Sequence, residues 1–161
     1  MNADDEPVFI TPPNTLKAKV SFGAEGVDLD MLEKAEQVIA SLRGDYLEWV
    51  QDDLGKLQRH FEAASRDGAG RAEALQAIFT VAHDVKGQGG SFGYPLMTTI
   101  GNQLCRFIEL TKEAGPADLA VIKLHIDALR LVIAQRMEGE GGRAGEELLR
   151  GLQAVAAKTK G

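Results

Sequence analysis

The residues best suited to chemistry in this chain are a histidine, a lysine and two glycines that lie between positions 83 and 90. If this stretch is helical, one face of the helix carries His83, Lys86, Gly87 and Gly90. They share that face because each residue of a helix turns the direction of its side chain by about 100°. A neutral imidazole nitrogen carries a free electron pair and can act as a nucleophile. The pattern predicts a nucleophilic imidazole beside bare surface, which a second surface can approach closely.

The glycines of this stretch are unfavourable for a helix, so something other than helix stability must account for them. Each glycine inside a helix costs about 1 kcal/mol relative to alanine, and the stretch contains Gly87, Gly89, Gly90 and Gly93. For Gly87 and Gly90 we favour close approach by a partner, and close packing of two helices is the alternative. Gly93 lies off the histidine face and is expected to allow the turn that ends the helix. Pro95 is expected at the first position of the next helix.

The sequence Ala-His-Asp-Val-Lys-Gly at positions 82–87 resembles the core motif of the histidine-phosphotransfer (HPt) family. That motif reads A-H-x-x-K-G and continues with small residues, here Gly90 and Ser91. It then has a glycine ten residues after the histidine, here Gly93. The motif resemblance covers residues 78–109, whereas only the layout of helices is similar over residues 28–77 and 117–137.

The resemblance implies that the protein is a relay for phosphoryl groups in a multistep two-component system. His83 would accept the group from a receiver-domain aspartate or a partner kinase and pass it to the aspartate of a response regulator. Lys86 would stabilise the charge on the phosphate oxygens. The docking surface for a receiver domain would consist of Phe79, Gly87, Gly90 and Ser91.

The same resemblance implies the partners and the cofactor of the reaction. The partners would be receiver domains and a hybrid or cognate histidine kinase, and the Mg²⁺ that shares the phosphate charge would be supplied by the receiver domain. We expect no intrinsic cofactor and no metal site. Several members of the family carry a glutamine at the position of Cys105, where it hydrogen-bonds the imidazole. This chain departs from that pattern, and Cys105 is predicted to be a small core residue.

Three other functions have to be weighed against the phosphorelay. A helical bundle of this kind could bind a receiver or a kinase as an adaptor without transferring phosphate, although the intact His83 and Lys86 argue against this. A histidine-kinase dimerisation domain would need two chains for one bundle, whereas an HPt bundle completes its core as a monomer, which is the state predicted here. A metal site built from His60, His83 and His125 lacks the spacing of known paired ligands.

Composition excludes several classes of partner and location. The net charge of −6 argues against non-specific binding of nucleic acid, which needs a basic surface. No apolar run approaches the roughly 20 residues of a membrane span, and the acidic N-terminus lacks the features of a signal peptide. With a single cysteine and therefore no internal disulfide, a cytoplasmic location is expected. Because no ATP-binding motif is present, we expect a phosphorelay intermediate and not an enzyme with its own kinase activity.

Apolar residues recur at helical spacing from position 28 onwards and predict an all-α fold, an antiparallel four-helix bundle with additional N-terminal and C-terminal helices. The additional N-terminal helix is expected to begin at Asp28 and to be broken at Gly44. Tyr46 and Trp49 are predicted to belong to the core. The expected regions are an extended or mobile arm (1–27), the bundle (28–138), and a flexible link with a short C-terminal helix (139–161).

Overall fold

The computed structural model describes residues 27–66 and 68–160, and within these ranges the chain is helical and contains no β-strand. The helices are α1 (Val27–Ser65), α2 (Arg71–Gly89), α3 (Pro95–Glu109), α4 (Pro116–Ala134) and α5 (Gly142–Lys160), and a 3₁₀ turn (Gly90–Phe92) separates α2 from α3. The prediction of an all-α fold is therefore confirmed. The predicted N-terminal arm lies outside the described residues, apart from Val27 at the start of α1. None of the described helices is both long enough and apolar enough to cross a membrane.

Helix α1 is one continuous helix of 39 residues, so the predicted break at Gly44 is wrong. An interior glycine weakens a helix by about 1 kcal/mol but, unlike proline, it neither removes a hydrogen bond nor clashes with the preceding turn. The chain nevertheless divides at this point into two compact units, Met1–Gly44 and Asp45–Gly161. In the first unit the described residues are the N-terminal part of α1, and its large apolar side chains are exposed: Leu29, Met31, Val38, Ile39 and Leu42.

The second unit has an apolar core to which each of its described helices contributes. The buried residues recur every three or four positions, as expected for helices that turn one face inward. They include Val50, Leu54 and Leu57 on α1, Ile78, Ala82 and Val85 on α2, Met97, Ile100 and Leu104 on α3, Ile122, Ile126 and Leu129 on α4, and Leu152 on α5. Because short connections make consecutive helices antiparallel, this arrangement agrees with the predicted helical bundle.

Helix α5 is longer than predicted, since it extends over 19 residues instead of forming a short helix. It packs against α3 and α4. Near its end, Lys160 Nζ lies 3.0 Å from Asp118 Oδ1 and 4.7 Å from the centroid of the Phe107 ring. The other oxygen of Asp118 accepts a hydrogen bond of 3.0 Å from the Gly115 amide, and this bond is the main cause of the lowered pKa of the carboxyl. The end of α5 is thereby tied to the start of α4.

Candidate functional site

Helix α2 carries the predicted site on the side that faces away from the core. Its inner face is buried through Ile78, Ala82 and Val85, and the rotation of about 100° per residue turns the next residue after Ala82 outward. His83 is accordingly exposed, and Lys86, one turn further along the helix, is partly buried. The histidine and the lysine thus lie near the C-terminal end of α2, as the spacing predicts.

The ring of His83 lies against the ring of Phe79, one turn earlier on α2. The two centroids are 6.3 Å apart, and the ring planes are inclined by 28°. Phe79 is also contacted from α3, because the Cys105 thiol donates a weak hydrogen bond to the Phe79 carbonyl oxygen over 3.8 Å. The imidazole therefore has an apolar ring as its neighbour on the side towards the start of α2.

Gly87 and Gly90 continue the exposed surface with bare backbone. A Cβ built at Gly87 would meet no atom within 4 Å, and at Gly90 the nearest atom would be Thr98 Oγ1 at 3.6 Å, an ordinary van der Waals distance. Both glycines are exposed, and so is Ser91 beside Gly90. Close packing of helices therefore does not explain these two glycines, and the open space beside them favours approach by a partner.

Two other glycines, Gly89 and Gly101, allow the helices to pack closely. A Cβ at Gly89 would come within 2.7 Å of both Met97 Cβ and the Tyr94 carbonyl oxygen. A Cβ at Gly101 would lie 3.1 Å from Lys86 Cβ. Neither role was predicted from the sequence. The one signal for Gly101 is its place among apolar residues on the inner face of α3.

Thr98 joins the end of α2 to the neighbouring helix α3. Its hydroxyl accepts a hydrogen bond of 3.0 Å from the Gly90 amide and donates one of 2.8 Å to the Lys86 carbonyl oxygen. The α-helix ends at Gly89, and Gly90 begins the 3₁₀ turn. The sequence analysis did not identify Thr98. Its side chain hydrogen-bonds backbone groups at the end of a different helix, and such a contact between helices produces no recognisable spacing in the sequence.

The predicted turn after the glycines is confirmed. Gly93 has a φ of 90°, a left-handed conformation that favours glycine, and its carbonyl oxygen accepts a hydrogen bond of 2.9 Å from the Gly139 amide. Helix α3 then begins at Pro95, where the missing amide hydrogen is not needed. This turn brings α3 back along α2, so that Thr98 and Gly101 reach the part of α2 that carries the site.

Helix α3 gives His83 no orienting hydrogen bond within the described part of the chain. Cys105 is buried, as predicted, and burial raises the pKa of its thiol. The glutamine two residues before Cys105, Gln103, does not hydrogen-bond His83 either. It lines a cleft beside Phe107 and Lys160, and both polar atoms of its amide are buried without a hydrogen-bond partner among the described residues. The imidazole is therefore positioned by its own helix and by the contact with the Phe79 ring.

The predicted place of Trp49 is wrong. The sequence pattern put it in the core, but 51% of its surface is exposed, whereas Tyr46 is fully buried as predicted. The physical reason is the direction of the buried arc on α1, which follows Tyr46, Val50 and Leu54 and leaves Trp49 at its edge. The indole meets the Phe92 ring edge-on, with the two centroids 5.9 Å apart.

The other two histidines do not join His83. His125 on α4 is buried with 1% exposure, and its Nδ1 donates a hydrogen bond of 2.9 Å to the Val121 carbonyl oxygen. Burial lowers the pKa of this ring. His60 on α1 is partly exposed. Among residues 27–66 and 68–160, no group of three or more His, Cys, Asp or Glu side chains could hold a metal ion.

The family model of the Hpt domain matches residues 41–132, which make up more than half of the chain and contain the whole site described above. The chain belongs to the Hpt domain family. Hpt domains are histidine-phosphotransfer modules of two-component phosphorelays, in which they interact with receiver domains and kinases. No curated protein and no solved structure matched the chain. The Hpt match ends within α4, so that α5 lies outside it.

Proposed function

We propose that this Hpt domain carries a phosphoryl group on His83. It accepts the group from the phospho-aspartate of a receiver domain or from a partner kinase, and it passes the group to the aspartate of a response regulator. The observation that supports this most strongly is the exposed imidazole close to Gly87, where an added Cβ would meet no atom within 4 Å. A partner can therefore bring an acidic side chain close to the ring.

In the proposed step, the neutral Nε2 of His83 attacks phosphorus in line with the bond to the aspartyl oxygen. The N–P bond forms as the O–P bond breaks, and the receiver keeps the electron pair as its free carboxylate. The ammonium group of Lys86 stabilises the negative charge on the transferred oxygens. The Mg²⁺ of this chemistry is brought by the receiver domain. Transfer to the second receiver is the same step in the opposite direction.

The docking surface in this proposal consists of Phe79, Gly87, Gly90 and Ser91. Phe79 is partly exposed and the other three are exposed. The hydrogen bond from the Gly90 amide to Thr98 holds the backbone of the turn in place, so little conformational freedom is lost when a receiver docks. The monomeric state and the cytoplasmic location suggested by the sequence stay predictions.

The direct test is phosphorylation of the purified protein by receiver domains of the same cell, each first charged with acetyl phosphate. We expect acid-labile, base-stable label on the wild type and none on His83→Gln, because the variant has no imidazole to carry the group. His60→Gln is the matched control and should keep full labelling. Label retained by the His83 variant would show that the acceptor lies elsewhere. Receiver binding without any label would make the protein an adaptor.

A further inference from the structure

Trp49 is the one tryptophan of the chain, and it lies on the surface although Tyr46 and Val50, its neighbours on α1, are buried. A tryptophan side chain contributes a large apolar area and a rigid shape, and it is among the residues most enriched at the centres of protein interfaces. An indole that is half exposed is therefore a candidate for contact with a partner. The transfer step proposed above makes no use of it.

The indole is held in a fixed orientation at the border of the docking surface. Trp49 meets the Phe92 ring edge-on, with an angle of 84° between the planes. Phe92 in turn stacks on the buried Tyr46 ring, with centroids 4.9 Å apart and planes inclined by 11°. Phe92 belongs to the same 3₁₀ turn as Gly90 and Ser91. The Phe92 ring thus connects Trp49 to the docking surface. The contact with Phe92 also fixes the position of the indole before a partner binds.

The register expected for two antiparallel helices agrees with this placement of Trp49. Burial is the main cause of the raised pKa of Asp53 on α1, and the charge of Asp84 on α2 contributes in the same direction. Helices α1 and α2 are consecutive and joined by a short connection, which is expected to make them antiparallel. One turn back from Asp53 along α1 is Trp49, and about one turn onward from Asp84 along α2 is Gly87. This agrees with the contact between the Trp49 and Phe92 rings, which places the indole beside the 3₁₀ turn that follows α2.

We propose that Trp49 is an anchor residue for the receiver domain and extends the docking surface from α2 onto α1. This inference rests on the proposed function, because it assigns Trp49 to the same receiver domain that docks over His83. The charges nearby describe the partner further. Acidic residues occur close to both rings along the helices: Glu48, Asp52 and Asp53 near Trp49 on α1, and Asp84 next to His83 on α2.

Among the residues that the structure describes, only part of that acidic charge is neutralised, since Lys56 Nζ lies 3.5 Å from Asp52 and 3.9 Å from Asp53. Interfaces place charges of opposite sign opposite each other, which speeds association and suppresses wrong partners. The receiver surface that fits this site therefore has an apolar centre that covers the Trp49 indole and basic side chains around it.

We expect Trp49→Ala to raise the receiver concentration needed for half-maximal transfer to His83 by roughly 10- to 30-fold, the range for truncation of an interface anchor. Trp49→Phe keeps a ring and should lose less. Labelling of His83 by phosphoramidate, a small donor that needs no docking surface, should be unchanged in both variants. Leu110→Ala is the matched control, because Leu110 is an exposed apolar residue (67%) just after α3, and its transfer should be normal.

A spectroscopic measurement makes the test independent of substitutions. Trp49 incorporated as 5-fluorotryptophan gives a single ¹⁹F resonance, because the chain has one tryptophan. We expect this resonance to shift when a receiver domain that transfers phosphate to His83 is added. An unchanged resonance, or normal transfer by a folded Trp49→Ala, would overturn the inference.

Two further outcomes separate this inference from its alternatives. A resonance that shifts with protein concentration alone, together with a dimeric mass in solution, would assign the indole to a contact between two copies and overturn the inference. A wild-type protein whose Trp49 resonance responds to a receiver while His83 takes no label would support the docking role. That result would instead contradict the proposed transfer. Failure of the docking inference and failure of the proposed function therefore give different results.

Discussion

The two sides of α2 next to the site use glycine for opposite purposes. On the outer side, Gly87 has no atom within 4 Å of the position that a Cβ would occupy. On the inner side, a Cβ at Gly89 would lie 2.7 Å from both Met97 Cβ and the Tyr94 carbonyl oxygen. The inner glycine lets α3 approach, and in our proposal the outer one keeps space for a receiver domain. Two glycines separated by one residue thus differ because of what faces them, which local spacing does not reveal.

In the proposed transfer, the outer side depends most on the charge of Lys86. We expect Lys86→Ala to slow transfer by about 10²–10³-fold, the usual loss when one group that stabilises developing charge is removed. The melting temperature should hardly change, because a lysine near the surface contributes little to stability and alanine keeps the Cβ that lies beside Gly101. Rapid-quench transfer assays and circular dichroism melts on the same samples provide the measurement. Lys86→Arg should recover part of the rate, and a normal rate for a folded Lys86→Ala would show that the lysine is dispensable.

Bulk added at Gly87 should separate function from stability. Gly87→Ala and Gly87→Leu remove a helix penalty of up to about 1 kcal/mol, so the free energy of unfolding should hold or rise. Transfer from a receiver should fall with side-chain size, by more than about tenfold for leucine, because a loss of 1.4 kcal/mol in docking suffices for that. Labelling by phosphoramidate should change much less. Urea unfolding and receiver titrations are the measurements.

The chain offers a matched control for this series on another helix. Gly151 lies inside α5, is exposed, and also has no atom within 4 Å of a Cβ position. Gly151→Leu should therefore stabilise the protein to a similar degree and leave transfer unchanged. If Gly87→Leu lowered stability while its folded fraction transferred phosphate normally, the surface beside His83 would not be where the receiver docks.

The outer side of the site could be predicted because a helix fixes which residues share a face from their spacing alone. His83, Gly87 and Gly90 needed only the rotation of about 100° per residue, and the turn at Gly93 and Pro95 needed only the preferences of those two residue types. The inner side depends on where α3 lies, which a single sequence does not give. For that reason the contact of Gly101 with Lys86 and the hydrogen bonds of Thr98 were missed.

Two errors in the fold have the same origin. A break at Gly44 was predicted because glycine is a poor helix former. Helix formation is cooperative, however, and the unfavourable free energy of one glycine does not interrupt a helix of 39 residues. Trp49 was assigned to the core because it is large and apolar, but the direction of the buried arc is set by the neighbouring helices and leaves it at the edge. Residue type predicted where the helices are, and packing decided which side of each helix is covered.

On the inner side of α2, even the addition of a methyl group should destabilise the protein. We expect Gly89→Ala to lower the free energy of unfolding by about 1–3 kcal/mol, because the added methyl group meets the Tyr94 backbone, which cannot turn away as a flexible side chain could. Gly87→Ala is the paired control with the opposite sign. The folded fraction of Gly89→Ala should still be labelled by phosphoramidate. Unchanged stability would mean that α3 can move away from α2 at little cost.

The same contrast between open and closed surroundings distinguishes the exposed ring of His83 from the buried ring of His125. Burial lowers the pKa of His125 below its ordinary value of 6.5. As the pH falls through about 6.5, the unfolded chain therefore takes up a proton that the folded protein resists, and the free energy of unfolding decreases. One such group contributes a slope of at most about 1.4 kcal/mol per pH unit. This stability is fully present above the pKa of the unfolded chain and is lost towards acid.

Replacement of the buried ring should remove that part of the pH dependence. His125→Leu keeps an apolar side chain against Phe107, so the variant should fold and its stability should vary less from about pH 8 to about pH 5 than that of the wild type. His60→Gln, which alters a partly exposed ring, should keep the wild-type slope. Urea unfolding across this range is the measurement. An unchanged slope in His125→Leu would mean that water reaches the His125 ring in solution. His83 and His125 would then differ in their position on the bundle but not in their exposure to water.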